Sequence, residues 1–236
     1  AIALPIVIQN LLTNFVAMLD NVMVGKIGTD QMTGVAIINQ LFFVFNLAVF
    51  GGMSGAGIFS AQYFGQNNHN GARNVFRMKL IIGIFIIAIS MCVLIILHEP
   101  LINMFLHEGG ASGNIHATFK YARDYLYIML FSIIPFVVAN CYSTTLKEAG
   151  QTMVPMIAGL LAVIVDFVFN ALLIFGLLGF PKLGVIGAAI ATVMSRFVEC
   201  GYLIIYTYRH SDKYRFIKGV YSNLHVPSSL VKKILL

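Results

Sequence analysis

Residues 80–97 read LIIGIFIIAISMCVLIIL, eighteen positions without a charged side chain. At about 1.5 Å of rise per helical residue, such a run nearly crosses the roughly 30 Å of hydrocarbon in a bilayer. It forms most of an apolar span placed at 75–97, the purest in the chain and so the one expected on the outside of a bundle. Working outward, five more spans of this kind read at 2–25, 32–64, 119–146, 153–175 and 184–208. The joints between them are polar or rich in glycine and proline: 26–30, 66–73, 98–118, 147–152 and 177–183. Pro5 and Pro155 suit first helical turns, where a missing N–H costs little. Pro135 falls mid-span and predicts a kink. The run Gly51-Gly52-Met53-Ser54-Gly55-Ala56-Gly57 is small enough to let helices approach closely in lipid.

The whole chain agrees with this reading. Its 236 residues are 59% hydrophobic and only 10% charged, against about 25% charged in soluble domains, and the mean hydropathy is +0.87. The predicted fold is all-α, an integral membrane bundle of six transmembrane helices over residues 1–210. Residues 211–236 form a basic, partly apolar segment that reads as interfacial or as the approach to a further span. The chain opens without methionine inside an apolar stretch and reads as a piece of a longer protein.

Several chemistries are disfavoured. Cys92, Cys141 and Cys200 all fall in apolar stretches and read as small packing residues. The chain has no Cys/His metal spacing, phosphate-cradling loop or nucleophile elbow, so an enzyme is not expected. His98, His107 and His116, with Glu99 and Glu108, are spaced too widely to specify zinc. The net charge of +6 is assigned to loops at a membrane surface rather than to nucleic acid. Arg73, Arg77, Lys79, Lys147, Arg209, Lys213, Arg215, Lys218, Lys232 and Lys233 gather on one side. Lys26, Lys120, Arg123 and Lys182 lie on the other. The excess of positive charge predicts a cytoplasmic amino terminus and tail, in a multi-pass protein of the plasma membrane.

Charges cost at least about 2.5–3.5 kcal/mol at the membrane centre, so polar residues there should face a cavity or a partner. The first span carries Asn10, Thr13, Asn14, Asp20 and Asn21 at helical spacing. The fifth carries Asp166 and Asn170, the second Asn39, Gln40 and Asn46, and the fourth Ser132, Asn140, Ser143 and Thr144. Asp20 lies about 8 Å below its helix end and Asp166 about 15 Å below its own, depths that overlap. The pair reads as a proton or cation site, with nearby amide carbonyls as further oxygen ligands. Arg196 and Glu199, three apart on the sixth span, read as a structural ion pair. A faint echo joins Asp20, Gly25, Gly28 and Gly34-Val35 to Asn170, Gly176, Gly179 and Gly184-Val185, as a duplicated transporter unit would.

Six segments, in order, resemble the multidrug and toxic compound extrusion (MATE) transporters. They are Ala3-Leu4-Pro5, Leu19-Asp20-Asn21-Val22-Met23-Val24-Gly25, Ala61-Gln62-Tyr63-Phe64-Gly65, Glu148-Ala149-Gly150-Gln151-Thr152, Asn170-Ala171-Leu172-Leu173-Ile174-Phe175-Gly176 and Gly184-Val185-Ile186-Gly187-Ala188-Ala189-Ile190-Ala191-Thr192. The resemblance implies the amino-terminal lobe of a twelve-helix transporter, with the second six-helix lobe absent from this chain. It implies export of amphipathic, often cationic small molecules, with H⁺ or Na⁺ as coupling ion and no other cofactor. Asp20 matches the family's coupling acid near the end of the first helix. On the fifth helix the family usually carries Asn and then, four residues on, Asp or Asn; here the acid, Asp166, comes first and Asn170 second. Asn140 is a looser candidate for the same network. A flippase for lipid-linked saccharides and a non-transporting membrane scaffold remain as alternatives.

Overall fold

The computed structural model describes residues 7, 11, 18, 20–108, 114–221, 226–227 and 230–231, with the side chains of His107 and Glu108 left aside. Residues 7, 11 and 18 are helical, and α1 here denotes the helical residues 20–25. Then follow α2 (Thr29–Gly65), α3 (His69–Ile96), α4 (His98–Glu108), α5 (Ile115–Glu148), α6 (Met153–Phe175) and α7 (Val185–Arg209), with 3-10 turns at Leu177–Gly179 and Arg215–Ile217. The described residues contain no strand. Five of these helices, all but α1 and α4, are long and apolar enough to cross a membrane. The fold is therefore the expected all-α membrane bundle.

Local chemistry sets the helix ends. Asn68 caps α3 by accepting a hydrogen bond from the Gly71 N–H at 2.9 Å, and Asn114 caps α5 by accepting from His116 and Ala117 at 3.1 and 3.3 Å. Helix α6 stops at Gly176, whose φ of 71° favours a residue without Cβ. The segment read as a polar loop at 98–118 instead contains α4. Pro100 suits its first turn, and Ile102 and Leu106, one turn apart, are buried. A short apolar pair amid His and Glu is a weak signal beside the long spans on either side.

Helix α5 is the axis of the lobe, packing against α2, α3 and α7, while α6 packs chiefly on α7. The α6–α7 contact is close at Gly187, where a Cβ would lie 2.7 Å from the Leu173 backbone. In the small-residue run of α2, Gly52 faces Ile82 and Ile86 of α3, whereas Gly51 and Gly55 face open space. Helix α3 leaves Ile84, Phe85 and Ile89 more than half exposed. In a bilayer that face meets acyl chains.

The segment after α7 folds back on the bundle. Phe216, Ile217 and Val220 are buried, and Phe216 meets Phe64 and Phe76 edge-on at 5.6 and 5.5 Å. Two arginines one turn apart on α3 hold it by its backbone. Arg73 donates to the carbonyls of Arg215 and Phe216, and Arg77 to those of Gly219 and Val220, at 2.7–3.3 Å.

Lys79, counted among loop cations by sequence, is fully buried. Its Nζ donates to both carboxylate oxygens of Glu148 at 2.7 Å and to the hydroxyls of Thr144 and Thr145 at 3.2 Å. Gly57 of α2 lies against Glu148 Oε1, so that even a methyl group there would collide with the carboxylate. Removing one partner of a buried pair strands the other charge, at a cost of about 3–5 kcal/mol. Lys79→Ala should therefore lower the thermal unfolding midpoint of the purified full-length protein sharply. Lys79→Met combined with Glu148→Gln should recover most of the loss.

Candidate functional site

Asp166 and Asn170 are four residues apart on α6 and so stack on one face. Both are buried, at 4% and 1% exposure, while Asp20 of α1 is half-buried. The Asn170 side-chain amide joins the three. Its Nδ2 donates to Asp20 Oδ1 at 2.7 Å and to Asp166 Oδ2 at 3.0 Å. One NH₂ group has two hydrogens, and each carboxyl receives one. Two of the three remaining oxygens, Asp166 Oδ1 and Asn170 Oδ1, are buried without a hydrogen-bond partner among the described residues. The hydroxyls of Thr192 and Ser195 on α7 flank Asp166, and the Tyr125 side chain of α5 lies near both acids.

Two ionised carboxylates on one amide, away from bulk water, repel one another strongly. Such a pair gathers positive charge, as a proton on one carboxyl or as a small cation among the oxygens. The two unpartnered oxygens fit either occupant, since a cation takes oxygen ligands directly and a protonated carboxyl becomes a donor.

The site opens into a cavity of about 410 Å³ between α1, α2, α5, α6 and α7. Asp20, Asn21, Asn39, Asn46, Ser132, Asn170, Thr192 and Arg196 supply its polar lining, and Phe42, Phe43, Phe45, Tyr125 and Phe136 its aromatic lining. Asp166, hydrogen-bonded to Asn170, is not itself part of the lining. Arg196 Nη1 donates to Glu199 Oε2 at 3.1 Å, and its guanidinium carbon sits 5.1 Å from the Phe136 ring centre.

The other residues named from sequence lie elsewhere. Gln40 is exposed and does not line the cavity. Asn140 donates to the Phe136 carbonyl of its own helix at 2.9 Å, Thr144 accepts from Lys79, and Ser143 is buried without reaching the cavity. The structure thus does not bring Asn140 to the carboxyl pair. Asn10, Thr13 and Asn14 lie outside the described residues. Sequence reasoning missed Tyr125 and Thr192. Their signal was spacing: Tyr125, Met129, Ser132 and Phe136 make one stripe on α5, and Ala188, Thr192 and Arg196 another on α7.

With this geometry in place, the family model MatE matches residues 5–172. The chain belongs to the MatE family. A probable multidrug resistance protein NorM of Thermotoga maritima is 30% identical over 93% of the chain and 46% of its own length. A probable multidrug resistance protein YoeA of Bacillus subtilis is 26% identical over 98% and 49%. An outward-facing multidrug resistance MATE family transporter of the MOP superfamily superposes with a TM-score of 0.79 at 22% identity, over 99% of this chain and 49% of that one. The chain spans about half the length of these relatives.

Among the described residues Asn170 donates to both acids, and a hydrogen bond to a charged group contributes about 1.5–3 kcal/mol. Asn170→Ala should destabilise the protein by about that amount in alkaline buffer and by less in acid, where a proton relieves the repulsion. Thermal melts across pH read this difference directly.

Proposed function

We propose that this chain is one lobe of a secondary active efflux transporter. It would export amphipathic, often cationic small molecules in exchange for H⁺ or Na⁺ entering down its gradient. The observation that carries this reading is the carboxyl pair on Asn170, buried at the edge of a cavity lined by amides and aromatic rings. The pair supplies a place for the coupling ion, and the cavity supplies aromatic faces and acceptors for an amphipathic cation. Occupation of one state by the ion and of another by the drug ties the two flows together. For exchange, Asp20 and Asp166 must be open to opposite sides of the membrane in turn.

The sidedness in this proposal is that of positive-inside counting, with the amino terminus and the post-α7 segment cytoplasmic. Withdrawing buried Lys79 from the tally leaves nine cations against four, so the bias keeps its direction. A flippase for lipid-linked saccharides would need free cations to meet a pyrophosphate. Among the described lining residues the one cation is Arg196, already held by Glu199 and facing a cavity that also presents Asp20. A non-transporting scaffold would have no use for a cavity of this volume in its interior.

Asp20→Asn in the full-length transporter keeps a hydrogen-bonding side chain but removes the charge. Gradient-driven efflux from cells or vesicles should fall to background while membrane insertion is preserved. Efflux at the unmutated rate would overturn the proposal.

A further inference from the structure

Arg196 has two sets of neighbours. Toward the carboxyl end of α7 lies Glu199, which its Nη1 meets at 3.1 Å. Toward the amino end, one turn back, lies Thr192, which flanks Asp166 and lines the cavity with Asp20 and Asn170. Long side chains on a helix lean toward its amino end, over the preceding turn. The ordinary direction for Arg196 is therefore toward the carboxyl pair, which its charge already reaches across the shared cavity, while the contact with Glu199 draws the guanidinium toward the other end of the helix. Its side chain is about one-third exposed, and the Phe136 ring beneath the guanidinium offers a face along which it can slide.

The charged and titratable groups around it are few. Among the described residues, helix α1 presents Asp20, α6 Asp166, and α5 Tyr125, with Lys147 near Glu199; α7 presents Glu199 itself and Cys200 beside it. Helix α2 faces the cavity with Asn39, Asn46 and phenylalanines.

We propose that Arg196 is a positioning residue for ion loading: Glu199 holds its guanidinium while the Asp20–Asp166 pair carries an ion, and the guanidinium turns to the pair when that ion leaves. This rests on the antiport reading of the same site and adds a tethered counter-ion to it. Unloading then never leaves two bare carboxylates facing each other in a low-dielectric cavity, a state that would otherwise oppose release. Glu199 is the resting partner that keeps the arginine from occupying the pair permanently.

The test uses the full-length transporter in vesicles, with the pH midpoint of drug exchange measured at fixed sodium. A positive charge near the pair favours its ionised form, so Arg196→Gln should move the midpoint to the alkaline side. Glu199→Gln frees the guanidinium for the pair and should move it to the acid side. Each shift should be about one unit or more, and Arg196→Lys, which keeps the charge, should restore most of the first. Fixed charges at 196 and 199 would also move the midpoint in opposite directions, so the deciding measurement is Glu199→Gln in the Arg196→Gln background, where a residue that only holds the arginine leaves the midpoint unmoved and a fixed charge still shifts it to the acid side. Shifts in the same direction, or none, would overturn the proposal. Should Arg196→Gln fail to insert, Arg196→Met serves as the background, and an acid shift from Glu199→Gln that persists there would defeat the idea. Failure of the antiport reading is separate, because Asp20→Asn would then export like the unmutated protein whatever stands at 196 or 199.

Discussion

One side-chain amide holds together two carboxyl groups, one on its own helix and one from a position 150 residues away in the chain. Asn170 has two N–H bonds, Asp20 takes one and Asp166 the other. The arrangement ties α1 to α6 and places two potential negative charges where water is scarce. An amide donor can satisfy one oxygen of each acid but cannot cancel the repulsion between them. The unpartnered Oδ1 atoms of Asp166 and Asn170 are what this imbalance leaves over. A proton or a small cation would complete the set.

The far end of the lobe solves the same problem with permanent partners. Lys79 is surrounded by Glu148 and two threonine hydroxyls, and Arg73 and Arg77 are taken up by backbone carbonyls of the segment after α7. These contacts tie α3 to α5 and to that segment and leave little charge free to move. The carboxyl pair, with Arg196 beside it, is the place where the described structure keeps charge incompletely matched. A firmly tied end and an unmatched centre would suit the proposed exchange, in which one body moves while an ion site changes occupancy.

Long elements were legible because lipid imposes length and polarity on every span. Residues 153–175 were bounded by sequence as the structure has them, and α2 and α7 differ by a few residues at their ends. Helix α4 was not legible, since among its described residues only Ile102 and Leu106 are fully buried. In the site, Asp20, Asp166 and Asn170 could be named because charge and amide in an apolar span are costly enough to demand a reason. Asn140 and Gln40 were polar stripe members that turned elsewhere, as a helix face is known from sequence but its neighbour is not. Lys79 was misjudged for a related reason: a lysine two residues past Arg77 reads as one more surface cation, and only packing shows that it points inward at Glu148.

The carboxyl pair can be watched directly by infrared difference spectroscopy of the full-length transporter, between acid and alkaline buffer and with or without sodium. The account predicts carboxyl bands that change with pH or with sodium and vanish from the difference spectrum in Asp20→Asn and Asp166→Asn. Carboxyl bands indifferent to both ions, or unaltered by either substitution, would contradict it.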